Sequence, residues 1–270
     1  MTRCRCQGEK RPVIVFGWYR RHDFNWKELP VPQAKRAQKT RPDGRSQRTS
    51  SRSKRADILR TATEYFGREG YEYTKWADIA AAVGVGSTAL YHYFESKLHC
   101  LYEIQADAVQ ADREKFERVV GEHEDFTEAL VAVLNALFDL TEHEVLRNRV
   151  LVAEQALVGL HRTSPREEEA RQRALGSMRD VEFAWATFLA RGMEQGAIPE
   201  ADPRLLTRAI IGLYNSVWHW YRPRGGLSLE AVRDFYVARC LAVAGLPMDA
   251  AAPGKQTAAK PKRTRRRAAA

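Results

Sequence analysis

An all-α fold is what this chain of 270 residues predicts. Three observations carry that reading. Apolar residues recur at three- and four-residue steps through most of positions 53–245, which is the spacing of one helix face. Strict apolar–polar alternation, the mark of a half-buried strand, is nearly absent. Capping residues and glycine stops punctuate the periodic stretches at helix-like intervals.

The first helix spans about Ser53 to Arg68. Ile58, Leu59, Ala62, Tyr65 and Phe66 share one stripe, and Gly70 ends it. Thr74 is a good N-cap for a short second helix, with Asp78 in its first turn and Ile79, Ala80 and Val83 buried. Gly84 stops that helix, and Val85 packs into the turn. A third helix starts at Gly86 or Ser87 and carries Leu90 and Phe94 inward. Ser96 caps a long fourth helix that reaches about Val120.

Beyond Gly121 the helices lengthen. One runs from Phe126 to Leu140 and another from Glu144 to about Leu160. Pro165 opens a helix of about 30 residues ending at Gly196, a first-turn position that suits proline. Asp202 and Pro203 open the next, whose apolar face holds Leu205, Leu206, Ile210, Leu213, Val217 and Tyr221. The last starts with Ser228 and closes at Gly245.

Charge is unevenly distributed. The net formal charge is +10, yet residues 1–55 hold 16 basic and 4 acidic side chains, and residues 254–270 hold 7 basic and none acidic. The body between them is acidic, with 21 basic and 30 acidic side chains. Basic ends on an acidic body point to a polyanion such as nucleic acid. The end segments are Pro-, Gly-, Ser- and Arg-rich and read as disordered.

No apolar run approaches the ~18 residues needed to span a bilayer, so no membrane association is expected. Cys4 and Cys6 form a C-x-C without a second ligand pair, and Cys100 and Cys240 sit in apolar helices. A reducing cytoplasm fits. The seven histidines are scattered, and there is no P-loop, no G-x-S-x-G and no strand-led G-x-G-x-x-G. No catalytic set, metal site or cofactor is expected, and the chain does not read as an enzyme.

Three short helices with a glycine-containing turn before the third describe a helix-turn-helix. The third helix would enter a DNA major groove with its N-terminal residues leading. Gly86, Ser87 and Thr88 stand at that end, and the two hydroxyls can reach base edges. Tyr91, Tyr93 and Lys97, with Thr74 and Lys75, are expected on phosphate; His92 and Trp76 complete the candidate surface. Arg45, Arg48, Arg52, Lys54 and Arg55 lead into the first helix and could serve as a minor-groove arm.

The stretch "ILRTATEYFGREGYEYTKWADIAAAVGVGSTALYHYFESKLHCL" resembles the DNA-binding domain of the TetR family of transcriptional regulators. The shared elements are I-L-x-x-A-x-x-x-F, G-Y-x-x-T, D-I-A-x-x-x-G-V and L-Y-x-Y-F-x-S-K-x-x-L, covering about Ala56 to Leu101. The family usually has serine where Gly86 stands, which leaves Ser87 as an alternative cap.

The resemblance implies a homodimer, a palindromic double-stranded DNA operator and a ligand-binding C-terminal domain that releases DNA when a small-molecule effector binds. "SVWHWYRPRGGLSLEAVRDFYVARCLAVAGL" looks like the subgroup that controls lipid, sterol or acyl-CoA breakdown. Residues 1–52 are then a disordered basic extension, 53–101 the DNA-binding domain, 102–247 the ligand-binding and dimerisation domain, and 248–270 a disordered basic tail. Residues before about 30 resemble no part of the family domain and are a candidate over-extended reading frame.

Trp185, Phe188, Tyr214, Trp218 and Trp220 are either dimer-interface and core packing or, in part, ligand walls, with Gln155, His161, Asn215 and His219 as candidate polar orienting groups. Dimerisation is expected through the last two long helices. The reading is a ligand-responsive repressor, although an activator would share the same fold. Two other classes remain at this point: a non-specific nucleoid-type DNA binder using its tails, and an all-α binding protein or enzyme with a vestigial helix-turn-helix.

Overall fold

The computed structural model describes the backbone of residues 45–251 and the side chains of residues 52–250. The expected basic segments before residue 45 and after 251 lie outside the described residues. Ten α-helices follow in order: α1 Arg45–Glu69, α2 Trp76–Val83, α3 Ser87–Tyr93, α4 Lys97–Gly121, α5 Phe126–Ala136, α6 Glu142–Ala153, α7 Gln155–Val158, α8 Pro165–Glu194, α9 Pro203–Trp220 and α10 Leu229–Val243. A 3-10 turn, Met248–Ala251, closes the series, so part of the segment expected to be disordered from residue 248 carries local structure.

The caps explain most boundaries. The hydroxyls of Ser96, Ser164 and Ser228 accept backbone N–H bonds at the starts of α4, α8 and α10, and the Asp202 carboxylate does so at α9. Thr141 and Glu144 form a reciprocal capping box at α6. Four boundaries differ from the sequence reading. Helix α1 begins at Arg45, ahead of its apolar stripe. Helix α5 ends at Ala136, where tighter turns bring Phe138 and Asp139 N–H groups onto Asn135 and Ala136 carbonyls. The expected helix from Glu144 to Leu160 breaks at Glu154 into α6 and α7. Helix α2 has Lys75 at its N-cap position rather than Thr74.

Burial divides into three clusters. The first joins α1–α4 through Ile58, Phe66, Ile79, Leu90, Phe94 and Leu101. Val150 of α6 is buried in it and Leu157 of α7 packs on it, so this core extends past the expected domain boundary at residue 101. The second fills the C-terminal half around Phe116, Phe126, Leu130, Trp185, Phe188 and Trp218. The third, Tyr102, Ala106, Val158, Ala170 and Ala174, lies between α4 and α8. Helix α4 packs along α8 in the most extensive helix pair of the molecule, and small alanines there allow close approach. Cys100 and Cys240 are buried free thiols whose pKa values burial pushes up, to about 12 for Cys240, and they behave as small hydrophobes.

Candidate nucleic-acid interface

The turn between α2 and α3 is set by Gly84. Its φ of 70° and ψ of 39° are left-handed, and its N–H reaches the Ala80 and Ala81 carbonyls. Val85 N–H then closes on Ala80 O at 2.9 Å. Gly86 follows as the N-cap of α3 with φ −67° and ψ 147°, a conformation open to any residue. A Cβ added there would meet nothing within 4 Å. Ser87 is therefore the first helical residue, not the cap, and no side chain caps α3. The free N–H groups at this end are donors available to an anion.

Leu90 and Phe94 are fully buried and fix α3 to its domain. The opposite face exposes Ser87, Thr88, Tyr91 and His92, positions one and four apart on a single stripe. Tyr91 is 54% exposed. Lys75 is exposed at the start of α2 and Arg52 on α1. Tyr73 beside Lys75 is 84% exposed, and sequence reasoning passed it over. The signal was its place within G-Y-x-x-T, in a loop with no apolar periodicity to bury it.

Five residues expected on the surface with these are placed elsewhere. The Thr74 side chain is buried, and its hydroxyl donates to the Gly70 carbonyl at 2.9 Å. Lys97 donates to the Tyr71 and Thr74 carbonyls at 2.7 and 3.0 Å and lies over the Tyr71 ring, 4.2 Å from its centroid. It fastens the start of α4 to the loop between α1 and α2. Tyr93 is half-buried against the first cluster. Trp76 is half-buried edge-on to Phe94, with its Nε1 buried and without a partner. Lys54 reaches the Val83 carbonyl at the end of α2, 3.5 Å away.

The C-terminal aromatics fill their own interior. Phe116 and Trp185 rings lie 4.7 Å apart, Phe126 stacks on Phe188 at 4.7 Å, and Tyr214 meets Trp218 edge-on at 5.3 Å. Between α4, α5 and α9 a narrow apolar cleft, lined by Phe116, Val119, Val133, Leu137, Leu140 and Tyr214, holds only ≈ 10 Å³ of free space, about one water. Tyr214 hydroxyl accepts from Asn148 at 2.8 Å and donates to Leu137 O at 3.2 Å. Burial raises its pKa. Asn148 Oδ1, beside it, is buried without a partner.

Asp112 borders the cleft; burial pushes its pKa up against the pull of Arg147, 2.7 Å away. Of the expected orienting groups, Asn215 is half-buried and His219 is exposed, so His219 stands outside this interior. Gln155 opens α7, whose Leu157 and Val158 pack on the other two clusters, and it does not join the aromatics.

Known proteins share this arrangement. Residues 58–104 match the family described as bacterial regulatory proteins, tetR family, and residues 143–244 match a tetracyclin repressor-like C-terminal domain. The HTH-type transcriptional repressor KstR2 of Mycolicibacterium smegmatis is 28% identical over 192 residues, 69% of this chain and 88% of that protein. The structure of the ketosteroid transcriptional regulator KstR2 of Mycobacterium tuberculosis is 27% identical with a TM-score of 0.56, over 70% of this chain and 93% of that one. The crystal structure of the TetR family transcriptional regulator PfmR from Thermus thermophilus is 31% identical with a TM-score of 0.58, over 68% of this chain and 97% of that one. The chain therefore belongs to the TetR family of helix-turn-helix transcriptional regulators, which are DNA-binding proteins and not enzymes.

Proposed function

We propose that the chain is a cytoplasmic dimeric repressor that binds a two-fold-related operator and is released from it by a small apolar or acyl-CoA-type effector. The observation that carries the DNA part is the outward stripe of α3, whose opposite face is locked by Leu90 and Phe94. The exposure of Ser87 and Thr88 at its leading end supports base-edge reading by their hydroxyls, and His92 extends the stripe. The exposure of Tyr91, Lys75 and Arg52, and the α3 N–H groups behind Gly86 that no side chain caps, support phosphate contacts.

The effector class is supported by the C-terminal interior. Its walls are apolar aromatics, and Tyr214 with the unpartnered Asn148 Oδ1 offers a buried polar point. The KstR2 relative is named as a ketosteroid regulator, which agrees with an apolar ligand. A space of one water does not admit such a ligand, so binding must move the Phe116 and Tyr214 side chains that line it. That gives the ligand a conformation to select, which is what release of DNA requires. A 100-fold loss of operator affinity corresponds to about 2.7 kcal/mol of coupling.

The test is capture of genomic fragments by the purified protein, followed by binding to the recovered sequences. Tyr91→Phe is expected to weaken binding by a similar factor on every sequence, whereas Thr88→Ala is expected to change the ranking of sequences at one base position per half-site. Uniform binding to all fragments, with a steep salt slope and no enriched palindrome, would sink the proposal.

A further inference from the structure

Where α1, α3 and α4 meet α8, a polar space of ≈ 240 Å³ is lined by Arg55, Tyr93, His99, Glu103 and Arg173, among others. Glu103 is at its base, only 2% exposed, and a carboxylate there needs partners. It has three, one from each side. Arg55 of α1 donates at 2.5 Å. Arg173 of α8 donates from across the space. His99, one turn earlier on α4, places Nε2 at 3.4 Å. His99 Nδ1 accepts the Glu95 backbone N–H at 3.1 Å, so the neutral ring carries its proton on Nε2, aimed at Glu103.

Burial alone would raise the Glu103 pKa, but the His99 bond and the two guanidiniums outweigh it and hold the group at about 2. It is charged at neutral pH. Two further contacts tie the same parts together. Ser96 hydroxyl donates to the Glu167 carboxylate, and Ser164 hydroxyl donates to Glu95 at 2.5 Å. The turn between α3 and α4 is thereby joined to the first turn of α8.

We infer that Glu103 is a positioning residue, the centre of a latch through which α8 holds the recognition helix in its operator-binding placement. This rests on the repressor reading above. Packed helices shift between discrete arrangements, not continuously. Sliding α8 along α4 separates Arg173 from Glu103 and leaves a buried carboxylate short of one donor. The latched and unlatched placements are therefore distinct. Tyr93, on α3, lines the same space and brings the recognition helix into it. Phe116 of α4 lies against Trp185 of α8 at 4.7 Å, so an effector that repacks Phe116 acts on the two helices that carry Glu103 and Arg173.

Arg173 is the residue to change, because its side chain is 52% exposed and the core does not depend on it. The full chain and its Arg173→Met and Arg173→Lys variants are compared on genomic fragments recovered by the wild type, with melting temperature and salt slope measured in parallel. Arg173→Met is expected to bind about ten-fold more weakly, with an unchanged salt slope and a melting temperature within a few degrees. Arg173→Lys is expected to recover most of the loss. Glu103→Gln combined with Arg173→Met should lose less than the sum of the two. Equal operator affinity for Arg173→Met and wild type overturns the latch, as does a fall in salt slope, which would make Arg173 a direct phosphate contact. If the wild type itself selects no fragment, the repressor reading fails first, and that outcome is distinct from either.

Discussion

Lys97 shows what a motif can and cannot say about a single side chain. Its position at the start of α4, next to an exposed recognition helix, suits a phosphate contact. The structure gives its ammonium two carbonyls and a ring instead. Helical spacing assigns a face, but it does not say which neighbour already occupies that face. Thr74 is buried with its hydroxyl on the Gly70 carbonyl of its own loop, and Tyr93 is half-buried beside the polar space that α8 helps to line. Leu90, Phe94, Ser87, Thr88 and Tyr91 were legible because one short helix decides their sides by itself. The two roles for Lys97 separate experimentally. Lys97→Met is expected to lower stability by about 1–3 kcal/mol, since two part-buried carbonyls lose a charged donor and Tyr71 loses its cation. The salt slope of DNA binding should stay the same. A slope reduced by about one with unchanged stability would return Lys97 to the phosphate set.

At the scale of helices, starts were more legible than breaks. Ser96, Asp202 and Ser228 each cap the helix that their sequence context announces, because a cap is a local event. The break at Glu154 is not local. Apolar periodicity runs on through Leu157, yet α7 turns there to place Leu157 and Val158 on different clusters. Helix α1 against α6 is the other contact that no sequence pattern announces. Gly67 faces Leu146 so closely that an added Cβ would lie 2.7 Å from its Cβ and 2.9 Å from its backbone oxygen. Backbone cannot swing aside as a long side chain can. Gly67→Ala is expected to cost about 1–3 kcal/mol of stability by forcing α1 away from α6. Because α1 carries the DNA-binding core, operator affinity should fall as well. Thermal melting and fragment binding measured on the same variant check both effects, and a melting temperature equal to wild type would show that the helices approach less closely.

The whole molecule is less divisible than its sequence suggests. Val150 is buried in the DNA-binding core, and α4 serves the core at one end and the aromatic interior at the other. A ligand in that interior therefore acts on helices that the recognition domain already shares. Among the described residues, α9 and α10 expose several large apolar side chains. Leu205 is 62%, Trp220 44%, Phe235 53% and Val243 43% exposed. Single exposed apolar residues are ordinary, but four large ones on two consecutive helices are apolar surface that a partner would bury. A second copy placing the same face against it would bury them and set two recognition helices about a two-fold axis. Phe235 is a clean probe of this arrangement. It lies outside the core, against Tyr236 and under the Arg239 guanidinium at 3.8 Å. Phe235→Asp should leave helix content unchanged while shifting the sedimentation coefficient from dimer to monomer at micromolar concentration. Operator binding should then weaken and become steeply dependent on protein concentration, since assembly must precede engagement of both half-sites. A variant that sediments as the wild-type dimer would move the interface off this face.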